Sequence, residues 1–146
     1  MFYVVLITLS CMSFKNPSST TETAVSSGSI TVTIDGIETK KGQIVFMLFN
    51  SNEGFPSETD KAYKTGIVKT FSTNASYTFE NIPHGTYAIA VFHDEDGNGK
   101  IKKNWIGMPK EPVGASNLTK MSKPNFKKCK FQLEASELSI DMIFIL

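Results

Sequence analysis

At 146 residues the chain has room for one domain of ordinary size, and 40% apolar residues, including 11 Phe, are enough to fill one core. Lys and Arg number 15 against 14 Asp and Glu, a net charge of +1, which excludes the global basic field of a nucleic-acid-binding protein. No nucleic-acid partner is expected.

Phe2 to Leu9 is an apolar run broken only by Thr8. A run of about eight residues is far short of the roughly 20 that span a bilayer as a helix, so residues 1–11 read as a signal peptide. No Lys or Arg precedes it. Leu9-Ser10-Cys11 resembles the end of a bacterial lipoprotein signal, whose cysteine carries the lipid, although Thr8 stands where that motif prefers Leu, Val or Ile. The alternative is an ordinary secretory leader removed together with Cys11. Residues 12–29 are Ser/Thr-rich without periodic apolar positions and are expected to be a flexible linker, leaving 30–146 as the domain. The expected location is extracytoplasmic: periplasmic, secreted or lipid-anchored in the bacterial envelope. Membrane contact is expected only through a lipid on Cys11. Cys129 then lacks a disulfide partner, and its phase with Phe131 and Leu133 predicts a buried small hydrophobe rather than a nucleophile.

From Ile30 the pattern has period two: Ile30, Val32 and Ile34 alternate with Thr31 and Thr33 up to the Asp35-Gly36 turn. Ile44 to Phe49 is continuously apolar and predicts a central strand covered on both faces. Phe55 to Gly66, with Pro56 and scattered charges, predicts one helical turn or an irregular crossover. Ile67–Thr73, Tyr77–Phe79 and Thr86–Phe92 read as successive antiparallel neighbours. Phe126–Leu133 and Leu138–Leu146 read as a closing pair, the latter with Leu138, Ile140, Met142, Phe144 and Leu146 on one face. Lysines cluster at Lys123, Lys127, Lys128 and Lys130, and on a strand Lys128 and Lys130 point the same way and read as one solvated sheet face. About seven short strands predict an all-β, antiparallel β-sandwich with Greek-key connections.

Asp94-Glu95-Asp96-Gly97-Asn98-Gly99-Lys100-Ile101 is the densest polar cluster. Asp94, Asp96 and Asn98 at alternate positions, with Gly99 for the turn and Lys100 offering a backbone carbonyl, match the first half of an EF-hand calcium loop. Side chains two apart can converge on one cation as the backbone curls. Trp105 occupies the twelfth position in place of the bidentate Glu, and a strand precedes the loop, so an EF-hand proper is excluded. The missing carboxylate falls to Glu95 or Glu111. The expected cofactor is weakly held Ca²⁺, with Kd of roughly 10⁻⁴ to 10⁻³ M. The competing reading is a turn whose Asp and Asn side chains only cap the backbone.

His93 continues the Tyr87, Ile89 and Val91 face and is expected to be half-buried at a strand end. A hydrolase built on His93 and the acidic loop is the alternative function. It needs a nucleophile, and Gly114-Ala115-Ser116-Asn117 forms no nucleophile elbow, so no catalytic residue is assigned. Lys102–Lys123 is expected to be a long irregular loop. Trp105, Met108 and Val113 are candidates for a small binding surface in it, and His93, Trp105, Ser116 and Asn117 complete the candidate loop site.

The strings Phe79-Glu80-Asn81-Ile82-Pro83-His84-Gly85-Thr86-Tyr87 through His93-Asp94, Asn98-Gly99-Lys100 and Trp105-Ile106-Gly107-Met108-Pro109-Lys110-Glu111-Pro112 resemble the bacterial family called domain of unknown function 2141. Gly114, Ser116 and Asn117 fit its pattern too. Asp96 stands where that family more often has Asn, which keeps an oxygen donor in place. The Pro-x-Gly-x-Tyr passage also looks like prealbumin-type sandwiches. The resemblance covers Ile30 to Leu146 and implies a prealbumin-like or Ig-like sandwich, but no activity. The chain is therefore expected to be a non-enzymatic binding or structural module whose partner is a protein or glycan of the cell envelope.

Overall fold

The alternation at Ile30, Val32 and Ile34 becomes a strand with all three side chains fully buried. This strand, β1 (Ser27–Asp35), begins inside the stretch expected to be linker, in a computed structural model that describes residues 26–145. The signal peptide, Cys11, the linker up to residue 25 and Leu146 lie outside the described residues. The remaining strands in chain order are β2 (Gln43–Phe49), β3 (Lys64–Val68), β4 (Asn74–Pro83), β5 (Gly85–Asp94), β6 (Val113–Ala115), β7 (Phe131–Leu133) and β8 (Glu137–Ile143). They form an all-β sandwich of two sheets, β4-β1-β8 and β3-β2-β5-β6, with β7 pairing the first residues of β5.

The two layers obey different burial rules. In the three-stranded sheet only one face meets the core, and the other exposes hydroxyls that pair across strands, Thr31 with Thr78 at 3.0 Å and Thr33 with Ser76 at 3.3 Å. In the other sheet β2 is buried along its whole length, as its unbroken apolar run predicts. Ile44, Phe46 and Leu48 face the interlayer core with Ile30, Val32, Phe79 and Ile89. Val45, Met47 and Phe49 face outward beneath Phe55, Ala62, Ile101 and Phe126, which roof that face. Each such side chain taken out of water contributes roughly 1.5–3 kcal/mol.

Several sequence expectations are corrected by strand placement. The three consecutive strands read as neighbours are not paired with one another: β3 and β5 flank β2, while β4 crosses to the other sheet beside β1. Gly66 accommodates the crossing, since a Cβ there would lie 2.3 Å from the Tyr77 ring. The expected closing pair also separates, with β7 on β5 and β8 running parallel to β1, so the sandwich is not wholly antiparallel. Parallel pairing in register from Ser29 with Glu137 to Asp35 with Ile143 turns the Met142 side of β8 into the core.

The first half of the expected Phe126–Leu133 strand is a helical turn, α1 (Phe126–Cys129). Asn125 caps it, its Oδ1 accepting the Lys128 amide at 3.0 Å, so Lys127 and Lys128 lie on a helical turn and not on a sheet face. Cys129 is buried nonetheless. The expected turn between Phe55 and Gly66 is a 3-10 turn at Thr59–Lys61. The long segment expected to be irregular contains β6, and its Val113, largely buried in the outer cluster, lines one groove with Met108 while Trp105 lies outside that lining.

Candidate functional site

Strand β5 carries His93 and Asp94 to one end of the sandwich, where β2 pairs Gln43 opposite Asp94. Both oxygens of the fully buried Asp94 carboxylate are occupied. Oδ1 accepts the Asn98 amide at 3.1 Å, and Oδ2 accepts the Gly99 amide at 2.7 Å and Gln43 Nε2 at 2.8 Å. A buried carboxylate is tolerated when hydrogen-bond donors replace its water, and three do so here. Gly42 lets the β2 entry pass close by: at φ +73 its missing Cβ would sit 2.0 Å from the Asp94 carbonyl oxygen. Neither Gly42 nor Gln43 was singled out from the sequence, because their role depends on the register of β2 on β5.

Asn98 spends its side chain on the turn. Its Oδ1 accepts the Lys100 amide at 2.7 Å and its Nδ2 donates to Asp96 Oδ2 at 2.9 Å. Lys100 is exposed and contributes that amide to the turn. Glu95 points away, its Oε1 accepting the Thr39 hydroxyl at 3.2 Å. Of the two carboxylates considered from the sequence, it is therefore Glu111 that joins the cluster: Asp94, Asp96 and Glu111 each bring a ligand oxygen, all within 4.8 Å of one another.

Glu111 is the least satisfied member. It is 6% exposed, and while Oε2 accepts the Lys102 amide at 2.9 Å, Oε1 is buried with no hydrogen-bond partner. Lys102 also places its ammonium against Asp96 Oδ2. That hydrogen bond holds the Asp96 carboxyl below its ordinary range and pushes the Lys102 ammonium above its own, with the charges of Glu111 and Asp94 adding to the latter. Lys102 was not marked from the sequence either, since nothing in the spacing from Asp96 shows that the chain folds back between them.

The fold-back is a small hairpin. Lys103 bridges Pro109, the Lys110 amide donates to the Lys102 carbonyl at 2.7 Å, and the Asn104 amide donates to the Met108 carbonyl at 2.8 Å. At its tip Asn104 Oδ1 accepts the Ile106 and Met108 amides at 3.0 and 2.9 Å. The turn holds Trp105 away from the body of the domain, and the hairpin base is fastened to Glu111 through Lys102.

The other candidate residues serve the scaffold. His93 is fully buried rather than half-buried, its Nε2 2.7 Å from the Lys41 carbonyl and its ring between Phe71 and Phe144. Ser116 is buried beside Ile89: its Oγ donates to the Cys129 carbonyl at 2.7 Å and accepts the Ile89 amide at 2.9 Å. His93 stands four residues along β5 from Ile89, about 13 Å at the rise of a strand, so the two do not form a nucleophile and base pair. Asn117 takes a left-handed φ of 62 and donates to the Lys130 carbonyl at 2.9 Å. Burial pushes the Cys129 thiol up, away from the reactive thiolate.

A family model described as an uncharacterized protein conserved in bacteria (DUF2141) matches residues 32–141. No curated protein and no solved structure matches the chain.

Proposed function

Because the chain belongs to this DUF2141 family, whose description names no activity, we propose from the site itself that it is a non-enzymatic binding module with a calcium-braced loop. Its setting is the bacterial cell envelope, and its partner is a protein or glycan. The observation that carries this reading is the buried, unpartnered Glu111 Oε1 beside Asp94 and Asp96. Oxygen donors alone select a hard cation, and an irregular cluster without imidazole or thiolate suits Ca²⁺ better than Zn²⁺. Such an ion would join the end of β5 to the base of the Trp105 hairpin. The leader-like N-terminus supports an extracytoplasmic setting, where calcium is plentiful enough for a weak site. The engagement of His93 and Ser116 in packing and backbone hydrogen bonds speaks for binding over hydrolysis.

A second reading is favoured by Lys102, whose ammonium already rests on Asp96 and feels the other two carboxylates. In it the lysine is the permanent counter-charge and the loop needs no ion. Thermal melting separates the two. With Kd in the range of roughly 10⁻⁴ to 10⁻³ M, about 10 mM Ca²⁺ stabilises the native state by about 1.4 to 2.7 kcal/mol. Replacing Asp96 by Asn and Glu111 by Gln together abolishes that rise. Equal melting temperatures in Ca²⁺ and in chelator would leave Lys102 as the counter-charge and retire the calcium reading.

A further inference from the structure

The hairpin tip is exposed in a way that neither a core nor a metal site requires. Trp105 is 95% exposed, Ile106 57% and Met108 44%, and Met121, at 68%, lines the same groove of about 530 Å³ as Ile106 and Met108. The turn beneath is closed by Asn104, which holds the tryptophan out. Between residues 100 and 123 the chain has Lys100, Lys102, Lys103, Lys110, Lys120 and Lys123, all exposed, against one acid, the buried Glu111. Lys102 is engaged by Asp96, but Lys103 and Lys123 line the groove with Ile106 and Met108, so a chain of net charge +1 sets positive charge beside its most apolar protrusion.

Shape and charge together select the occupant. An acidic peptide would lie in the groove, yet Trp105 projects outside the groove lining. A convex apolar tip with a basic collar suits a deformable apolar layer beneath a negative surface. Tryptophan favours the boundary between headgroups and acyl chains, and lysine stems can lie along apolar material while their ammonium groups reach phosphate. We propose that the Trp105–Met108 tip docks on an anionic phospholipid bilayer, with headgroup phosphates meeting the lysine collar. This is a membrane contact separate from any lipid on Cys11, and it does not depend on calcium.

Trp105 is the chain's single tryptophan, so its emission reports the tip alone. The full chain is mixed, in chelator, with vesicles of phosphatidylcholine alone or with about a third phosphatidylglycerol, the composition that raises attraction for surface lysines. The expected result is a blue shift, quenched by brominated acyl chains, on the anionic vesicles and at least about a hundredfold weaker partition to the neutral ones, from about fivefold for each of three lysines. Replacing Lys103, Lys110 and Lys123 by Gln keeps the reporter and lowers partition by about fivefold for each lysine that meets the surface. Unshifted emission on anionic vesicles overturns the proposal, even if the apolar N-terminus makes the chain co-sediment. Equal shifts on both vesicles overturn it too, as does a shift with an acidic amphipathic peptide where vesicles give none. Because chelator is present throughout, none of these outcomes bears on the calcium reading.

Discussion

Two ends of one excursion between β5 and β6 are built on opposite principles. At its root the Asp94 carboxylate is out of water and receives three N–H groups, one from Gln43 on the neighbouring strand. At its tip Trp105 keeps nearly all its surface in water on a turn that Asn104 closes without it. The contrast teaches that polarity is a poor guide to role here. The acidic residue nearest the strand is part of the fold, and the most apolar side chain of the hairpin contributes almost nothing to it. Glu111 stands between these extremes, buried like the root but with one oxygen unpartnered.

The contrast breaks first at Asp94. Asp94→Ala leaves Gln43 Nε2 and the Gly99 amide without their acceptor and the Asn98 amide with only the longer bond to Asp96 Oδ1 at 3.3 Å, and urea denaturation is expected to show a loss of about 3 kcal/mol. Ser116→Ala, which leaves the Ile89 amide without its hydroxyl acceptor and the Cys129 carbonyl with only the longer bond from Asn117 Nδ2 at 3.3 Å, is expected to cost about 1–2 kcal/mol in the same assay. Lys102→Ala sharpens the middle ground: with the competing ammonium gone, Ca²⁺ binding tightens severalfold in a calorimetric titration, whereas a purely structural lysine leaves no calcium binding to improve.

Smaller still is the pH response of the Asp96–Lys102 pair. Asp96 titrates below its ordinary value of 3.8, so its contribution is complete above that pH and fades as the pH falls through the lowered value. Lys102 titrates above 10.5, so its contribution is complete below that pH and fades as the pH rises through the raised value. The gap in denaturation midpoint between the native chain and Asp96→Asn should stay flat through neutral pH and close only below about 3.8. Least affected is Trp105→Ser, expected to alter stability by no more than about 0.5 kcal/mol; a larger loss would mean the tip packs against something in the fold.

Local pattern made the inner strands and part of the site readable. The period-two run of β1, the apolar block of β2 and the strand before His93 each stand where the sequence places them, because burial on one or both faces leaves a direct mark on residue order. Asp94, Asp96 and Glu111 were marked as possible partners by chemistry and spacing, and the fold does bring them together. What stayed hidden depends on non-local geometry. Gln43 meets Asp94 only through strand register, Lys102 meets Asp96 only because a hairpin reverses the chain, and β8 meets β1 in a parallel sense that no turn residue announces. The α1 turn is a different case: the alternation of Cys129, Phe131 and Leu133 masks a local cap, Asn125, that starts a helical turn.

The most direct test of the cation reading watches two backbone amides. Gly99 donates to Asp94 and Lys102 donates to Glu111, so both sit on carboxylates that would share the ion. In a ¹H–¹⁵N titration with CaCl₂, their resonances should move together and saturate with one Kd of roughly 10⁻⁴ to 10⁻³ M, and should stand still in Glu111→Gln. Movement that is absent in the native chain, or that persists unchanged in Glu111→Gln, would contradict the account.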